Sequence, residues 1–284
     1  MRPTVGLALS GGAIRGAAHI GVLKVFEAHR IPIDFISGTS IGALVGTLYA
    51  FGLSAERIQE IAVDLDWLDV SKFIIPKMGL LSNESMGELL EKLLGPAVIE
   101  ESKIPLAIVA ADVNTGEKVV FRSGPVGHAV MASSCIPGIF APVQDDGRLL
   151  VDGLVVENVP ISPLLAWNAD VIVAVDLSGE RKYKNADDII DVIMNAFEIA
   201  VDTHTATLLK HADVVIQPRV ARFSRTHSDQ VMSLIEEGER AAQAKIFQVQ
   251  DLLAMHEPHT LRRFGRLLAR KLKRKFSKYP ALPW

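Results

Sequence analysis

The sequence predicts an α/β fold, a layered and mostly parallel β-sheet flanked by helices. Short β-branched or apolar runs alternate with helix-patterned stretches along its 284 residues, in the β-α-β-α order of layered sheets. Several of the runs are apolar throughout, as strands are when both faces of a sheet are covered. No repeat or low-complexity segment interrupts the alternation. A chain of this length suits one large domain, or one domain with an extension, and buries a substantial core either way.

"TVGLAL" (4–9) reads as the first strand. It ends in "SGGAIRG", and a helix follows over 15–30. "IDFIS" (33–37) is the second strand; "GTSIG" turns the chain into a helix over 41–52, and another covers 54–65. Residues 67–86, "WLDVSKFIIPKMGLLSNESM", are apolar with Pro76 and Gly79 but have no clean period. A lid or an acyl-binding wall fits them, and a core-packed connection fits slightly better. A helix over 84–94 leads to "IPLAIVAAD" (104–112) and "EKVVF" (117–121), both strands, then to a helix over 123–134. A short apolar strand precedes Asp152. "DVIVAVDL" (170–177), a helix over 186–210, "DVVIQP" (213–218) and a helix over 228–254 complete the body. Pro258 in "HEPHT" interrupts a continuous helix, so the chain divides into a domain of residues 1–255 and an extension of residues 256–284.

Charge separates the same two parts. The net charge is −3, but residues 261–284 hold nine cations and no acid, against 21 cations and 33 acids elsewhere. Hydrophobic residues make up 49% of the chain, which fits a large buried sheet or a surface that meets lipid. Cys135 is the single cysteine, so no intrachain disulfide forms and a reducing compartment suits the chain. "VGLAL" is too short for the apolar region of a signal peptide, which points to the cytoplasm.

Residues 35–55 contain no Asp, Glu, Lys or Arg. About 20 residues cross a bilayer, so length permits a membrane span. Composition argues against one, because the run changes from strand-like to turn-like to helix-like and carries four glycines. G-x-S-x-G between a strand and a helix is instead a device for presenting a nucleophile. Gly38 and Gly42 remove β-carbons that clash when the chain reverses, and Ser40 is held at the tip. The following helix aims its N-terminal N–H groups at the reacting centre. A Gly/Ser-rich turn in a buried βα unit is the plain alternative.

The first glycine loop, Ser10 to Gly16, has the same strand–turn–helix grammar, and its N–H groups can converge on an anion. No Gly-Lys-Ser/Thr follows it, which excludes a P-loop. Position 13 is Ala, and Asp34 sits at a strand's start rather than its end, which disfavours a dinucleotide. A tetrahedral oxyanion remains the economical ligand. Ser40 then needs a base. His19, His128, His204, His211, His256 and His259 all lack a persuasive position. The best carboxylate is Asp152, presented by the turn at Gly153 among Leu150, Val151 and Leu154, which can raise its pKa. An Asp-Gly hairpin turn explains the same residues without chemistry.

Together these segments resemble the patatin-like phospholipase family. "SGGAIRG" with "AAHIGVL", then "GTSIGAL", "MASSCIPGIFAPV" and "VDGLVVENVP" follow that family's order and approximate spacing, over roughly residues 4–250. The resemblance implies a patatin-like α/β fold with a Ser–Asp dyad and no catalytic histidine. It implies Ser40 as nucleophile and Asp152 as base, with Gly38 and Gly42 in the elbow and Gly153 in the acid motif. It implies an oxyanion hole at Gly11, Gly12 and Ala13, with Arg15 in the family's basic position and Gly16 completing the loop. The implied activity is cleavage of lipid acyl esters, phospholipid or lysophospholipid. The sequence shows no transition-metal ligand cluster and no calcium loop, so no metal or cofactor is expected. Acyl transfer, thioester hydrolysis and a lipid-binding module with weak esterase activity are the alternatives. Two positions depart from the family. Ala13 replaces a glycine, which is harmless if φ is not positive, and Leu154 follows Asp-Gly, where it narrows the site or lines it. Cys135 is expected to be a small buried residue rather than a second nucleophile.

In residues 261–279, Leu261, Phe264, Leu268, Leu272 and Phe276 fall close to one helical stripe among cations. Such a helix lies in a membrane interface and is drawn to anionic lipid. A solvated helix or one packed in a homodimer explains the pattern too; nucleic acid is not expected, because no nucleic-acid motif accompanies the charge. Deleting 261–284 should weaken binding to anionic vesicles in a sedimentation assay and spare turnover of a soluble ester. Equal sedimentation with and without the segment would contradict the membrane reading.

Overall fold

The structure, a computed structural model, describes residues 2–65, 72–73, 81–179, 183, 185–224 and 228–254. In chain order the elements are β1 (Val5–Leu9), α1 (Ala17–Ala28), β2 (Phe35–Thr39), α2 (Ile41–Ala50), α3 (Ala55–Asp64), β3 (Lys72–Phe73), β4 (Leu81–Ser82) and α4 (Glu84–Leu94). Then come β5 (Leu106–Asp112), β6 (Lys118–Phe121), α5 (Val126–Ser133), β7 (Val143–Asp145), β8 (Arg148–Asp152), α6 (Leu154–Glu157) and α7 (Ser162–Ala166). The last are β9 (Val171–Val175), α8 (Ile189–Leu208), β10 (Val214–Ile216), α9 (Val231–Gln243) and α10 (Ile246–Ala254).

The main sheet has the order β10-β9-β1-β2-β5-β8-β7, with β6 also paired to β5. Strands β10, β9, β1, β2 and β5 are parallel, and β6, β7 and β8 run antiparallel to their neighbours. The apolar-throughout strands have the expected cause. Val5, Leu7 and Leu9 of β1 and Val171, Val173 and Val175 of β9 face one core, shared with α1, α2, α3 and α9. Ala8, Ile172 and Ala174 face the other, against Ile161 and Leu164 at α7. Successive residues point to opposite faces, so a strand covered on both sides has no polar position to alternate.

The long helix expected over 228–254 is broken. A 3-10 turn at Ser228–Gln230 leads into α9, and α9 ends at Gln243 before α10 begins. The helix expected over 15–30 likewise begins with a 3-10 turn, Ala13–Gly16, before α1. Most of the segment expected to form a lid or wall (66–71 and 74–80), and the whole extension from residue 255, lie outside the described residues. Among the described residues no helix is long and apolar enough to cross a membrane; residues 35–55 divide at Ser40 into β2 and α2.

Helices α1 and α9 cross at two glycines. A β-carbon on Gly238 would fall inside contact distance of the Ala18 carbonyl oxygen, and one on Gly21 would strike the Ile235 carbonyl. Backbone meets backbone there, so neither partner can yield by changing a rotamer. Gly238→Ala should therefore destabilise the protein by about 1–3 kcal/mol, the usual cost of overpacking. The measure is a lower urea midpoint at unchanged m-value; an unchanged midpoint would contradict the crossing.

Candidate active site

Strand β5 builds the site. On one edge β6 pairs with residues 108–111 of β5. On the other edge β2 pairs with residues 106–109, and β8 takes over at residues 110–112. Because β2 is parallel to β5 and β8 is antiparallel, their carboxyl ends converge. Thr39 is opposite Val109, and Asp152 is opposite the next residue, Ala110. Ser40 follows Thr39 directly, so the serine and the aspartate meet where the two strands end.

Ser40 is held in a conformation that L-residues rarely adopt, φ 54° and ψ −125°, at a cost of about 1–3 kcal/mol. Its surroundings impose that shape. The Ser40 N–H donates to Ser133 Oγ at 2.8 Å, and the Ser133 hydroxyl donates to the Val109 carbonyl at 2.6 Å. The Ser40 carbonyl accepts from the N–H groups of Ala43 and Leu44 at the start of α2. Side chains at Gly38 or Gly42 would collide with Ala43 or with the Leu9 carbonyl, so the reversal requires both glycines.

Asp152 is fully buried. Its N–H donates to the Cys135 carbonyl at 2.8 Å, and its Oδ1 accepts from the Leu154 N–H at 2.9 Å. Oδ2 is buried and has no hydrogen-bond partner. Burial pushes the carboxyl up to about 7, against the lowering effect of the Leu154 N–H and the nearby Ser40 hydroxyl. The Ser40 hydroxyl is thus close to the carboxyl without forming a hydrogen bond of ordinary geometry. Gly153 lies flat on the Val109 carbonyl, where a β-carbon would clash.

The first glycine loop is narrower as an anion site than its sequence implies. Ser10 is fixed by Val175, by Leu177, whose N–H its hydroxyl accepts, and by His19, whose Nε2 meets the Ser10 carbonyl at 2.8 Å. A carbonyl only accepts, so His19 is the Nε2–H tautomer. Burial lowers its pKa to about 4 and keeps it neutral. The Gly11 N–H donates to the Asn158 carbonyl at 3.3 Å and is already engaged. Arg15 directs Nε and Nη2 to the Phe223 carbonyl and Nη2 to the Ala221 carbonyl, tying the 3-10 turn to that loop. Gly16 is a packing position against Ile41. Gly12 is extended and rests on Leu177; among the described residues neither its N–H nor that of Ala13 has a protein acceptor. Ala13 has φ 51°, contrary to the condition under which alanine is harmless there, so the loop carries strain of about 1–2 kcal/mol that a glycine would remove.

Two residues escaped the sequence reading. Ser133 lies in "MASSCIPG", where nothing local in the sequence marks it as the link between Ser40 and Val109. Asn158 lies in "VDGLVVENVP", beyond the acid. Cys135 itself is buried, with its thiol within donating reach of the Met131 and Ala141 carbonyls, and has its pKa pushed up to about 12 by burial. Leu154 is half-buried, its N–H on Asp152. Among the described residues no histidine is hydrogen-bonded to Ser40.

A family model described as patatin-like phospholipase matches residues 7–165, which carry the serine, the aspartate and the glycine loop. The match exceeds half of the chain, which belongs to the patatin-like phospholipase family. An NTE family protein of Mycobacterium tuberculosis (strain ATCC 25618 / H37Rv), named as uncharacterized, is 37% identical over 182 residues, 63% of this chain and 50% of that protein. The lysophospholipase NTE1 of Mycosarcoma maydis is 34% identical over 182 residues, 61% of this chain and 10% of that protein. The crystal structure of VipD from Legionella pneumophila superposes with a TM-score of 0.50 at 13% identity, over 89% of this chain and 67% of that one, a likeness of fold. The chain spans about half the length of the first curated relatives it matches.

The burial of Asp152 sets a pH dependence of stability. Its folded pKa, about 7, lies above the ordinary value of 3.8. Between those values the folded state holds a proton that the unfolded state has lost, so stability falls as pH rises from 3.8 to about 7. Above that, the buried carboxylate costs on the order of 4 kcal/mol. Asp152→Asn should then be more stable than the wild type at pH 8, with the gap closing toward pH 4. Urea midpoints across that range test it, and a gap independent of pH would contradict the burial.

Proposed function

We propose that the chain is a lipid acyl hydrolase working through a serine acyl-enzyme, with Ser40 as nucleophile and Asp152 as general base. One observation carries the reading: a strained, preset serine stands beside a buried carboxylate oxygen that no protein group satisfies. A buried unpaired acceptor is costly, and the Ser40 proton is its natural partner. Oγ attacks the acyl carbonyl as Asp152 takes its proton. The N–H groups of Gly12 and Ala13 receive the oxyanion, helped by the N-terminal end of α2. Collapse breaks the ester bond, and Asp152 returns the proton to the leaving alkoxide. Water, deprotonated by Asp152, then attacks the acyl-enzyme and releases the fatty acid and Ser40. A pKa near neutrality suits both transfers.

The favoured substrate class is a phospholipid or lysophospholipid; the relative named a lysophospholipase supports the second. The basic segment 261–279 is the proposed contact with the membrane surface. Ser40→Ala and Asp152→Asn should each lower kcat/KM on a short-chain acyl ester by at least about 10³-fold. Wild-type kcat/KM should rise with pH to a plateau, with its midpoint at about 7, because the base form of Asp152 is the active one. Full activity in both variants would overturn the dyad. Mass spectrometry of products from a mixed lipid extract, with Ser40→Ala as control, reads the substrate.

A further inference from the structure

Asn158 is 5% exposed, yet among the described residues neither atom of its carboxamide has a hydrogen-bond partner. Neither atom is among the fully buried polar atoms left without a partner, so the carboxamide opens onto the space beside it and is free to bind a group placed there. Its place is closely determined. The Glu157 carbonyl accepts from Thr39 Oγ1 at 2.9 Å, the Asn158 carbonyl from the Gly11 N–H, and the Pro160 carbonyl from Ser37 Oγ. The Glu157 carboxylate binds Lys118 at 2.7 Å and the Ser162 N–H and hydroxyl. The backbone around residue 158 is therefore clamped to β2 and to the glycine loop, and only the side chain is uncommitted.

That side chain borders the space beside the nucleophile. The point where Gly11 would carry a β-carbon is 2.9 Å from Asn158 Oδ1 and 3.3 Å from the Ser40 β-carbon. The carboxamide and Ser40 thus flank one small gap, kept open because residue 11 has no side chain. A carboxamide without a partner can turn its NH₂ toward an oxygen placed there.

Resting on the hydrolase reading above, we infer that Asn158 is a third oxyanion donor, a side-chain N–H that binds the acyl carbonyl oxygen of the substrate and holds it more tightly as charge develops. The two backbone donors come from one side of the gap, the loop after β1. Asn158 comes from the segment after α6, so it closes the hole from the other wall. The Gly11 N–H is then explained: it is spent on the Asn158 carbonyl, which fixes the donor on the opposite wall.

The test measures Asn158→Ala and Asn158→Asp on a short-chain acyl ester and on its thionoester, whose sulfur is a poor acceptor. Loss of an oxyanion donor should lower kcat for the ester by about 100-fold, with KM within about 3-fold and the thionoester slowed far less. Asn158→Asp keeps the shape of the side chain and decides the matter if the alanine variant does not fold. Equal slowing of ester and thionoester would mark a packing role and overturn the inference. So would ester turnover within about 3-fold of wild type, while leaving the hydrolase reading intact. A wild type that turns over neither compound overturns both.

Discussion

The site depends on one shared edge. Strand β5 offers a single row of backbone groups to β2 and then to β8, and two strands cannot occupy the same place on it. One must end where the other begins. The ends are Thr39, directly before Ser40, and Asp152. At the junction the ladder is incomplete, and the Ser133 hydroxyl bridges it, donating to Val109 and accepting from Ser40. A serine hydroxyl can do both at once, which a backbone group cannot. Ser40, Gly153 and the Val109 carbonyl are thereby brought into one packed cluster, and the geometry is set by sheet pairing before any side chain is considered.

The same packing accounts for the electrostatics. Closing β8 against β5, with the Cys135 carbonyl capping the Asp152 N–H, takes the carboxyl out of water. One oxygen keeps a backbone donor and the other keeps none, so the group is neither a strong acid nor an inert buried polar residue. Unfavourable features gather at this place: positive φ at Ser40 and Ala13, and an orphaned Oδ2 on Asp152. The surrounding core is conventional, apolar on both sheet faces, and holds these features in place. Local disagreement with otherwise consistent rules is what a functional site in a stable scaffold looks like.

Much of this was legible in the residues. The apolar strands, the two strand–turn–helix units, the elbow at Ser40 and the acid at Asp152 were all visible, because each rests on local pattern. What could not be read was of two kinds. The break between α9 and α10, and the 3-10 start before α1, lie within stretches of good helical pattern, where tertiary packing decides the ends. The hydrogen bonds of the glycine loop were the other kind. Gly11 and Arg15 look like anion-binding residues in sequence, but partners more than a hundred residues away, Asn158 and the 221–223 loop, had already claimed them.

The chain by itself determined which residue types stand at the strand ends: a serine between glycines, a glycine loop without a P-loop lysine, an aspartate before glycine. Those are local facts, fixed by steric demands of tight turns. Tertiary structure alone decided which of them work together. The meeting of Ser40 with Asp152, the placing of Ser133 at the junction, and the engagement of the Gly11 N–H by the Asn158 carbonyl all depend on pairing across β5. Distances along a chain do not encode which edge a strand takes, and here that edge decides which polar groups are satisfied and which are left without a partner.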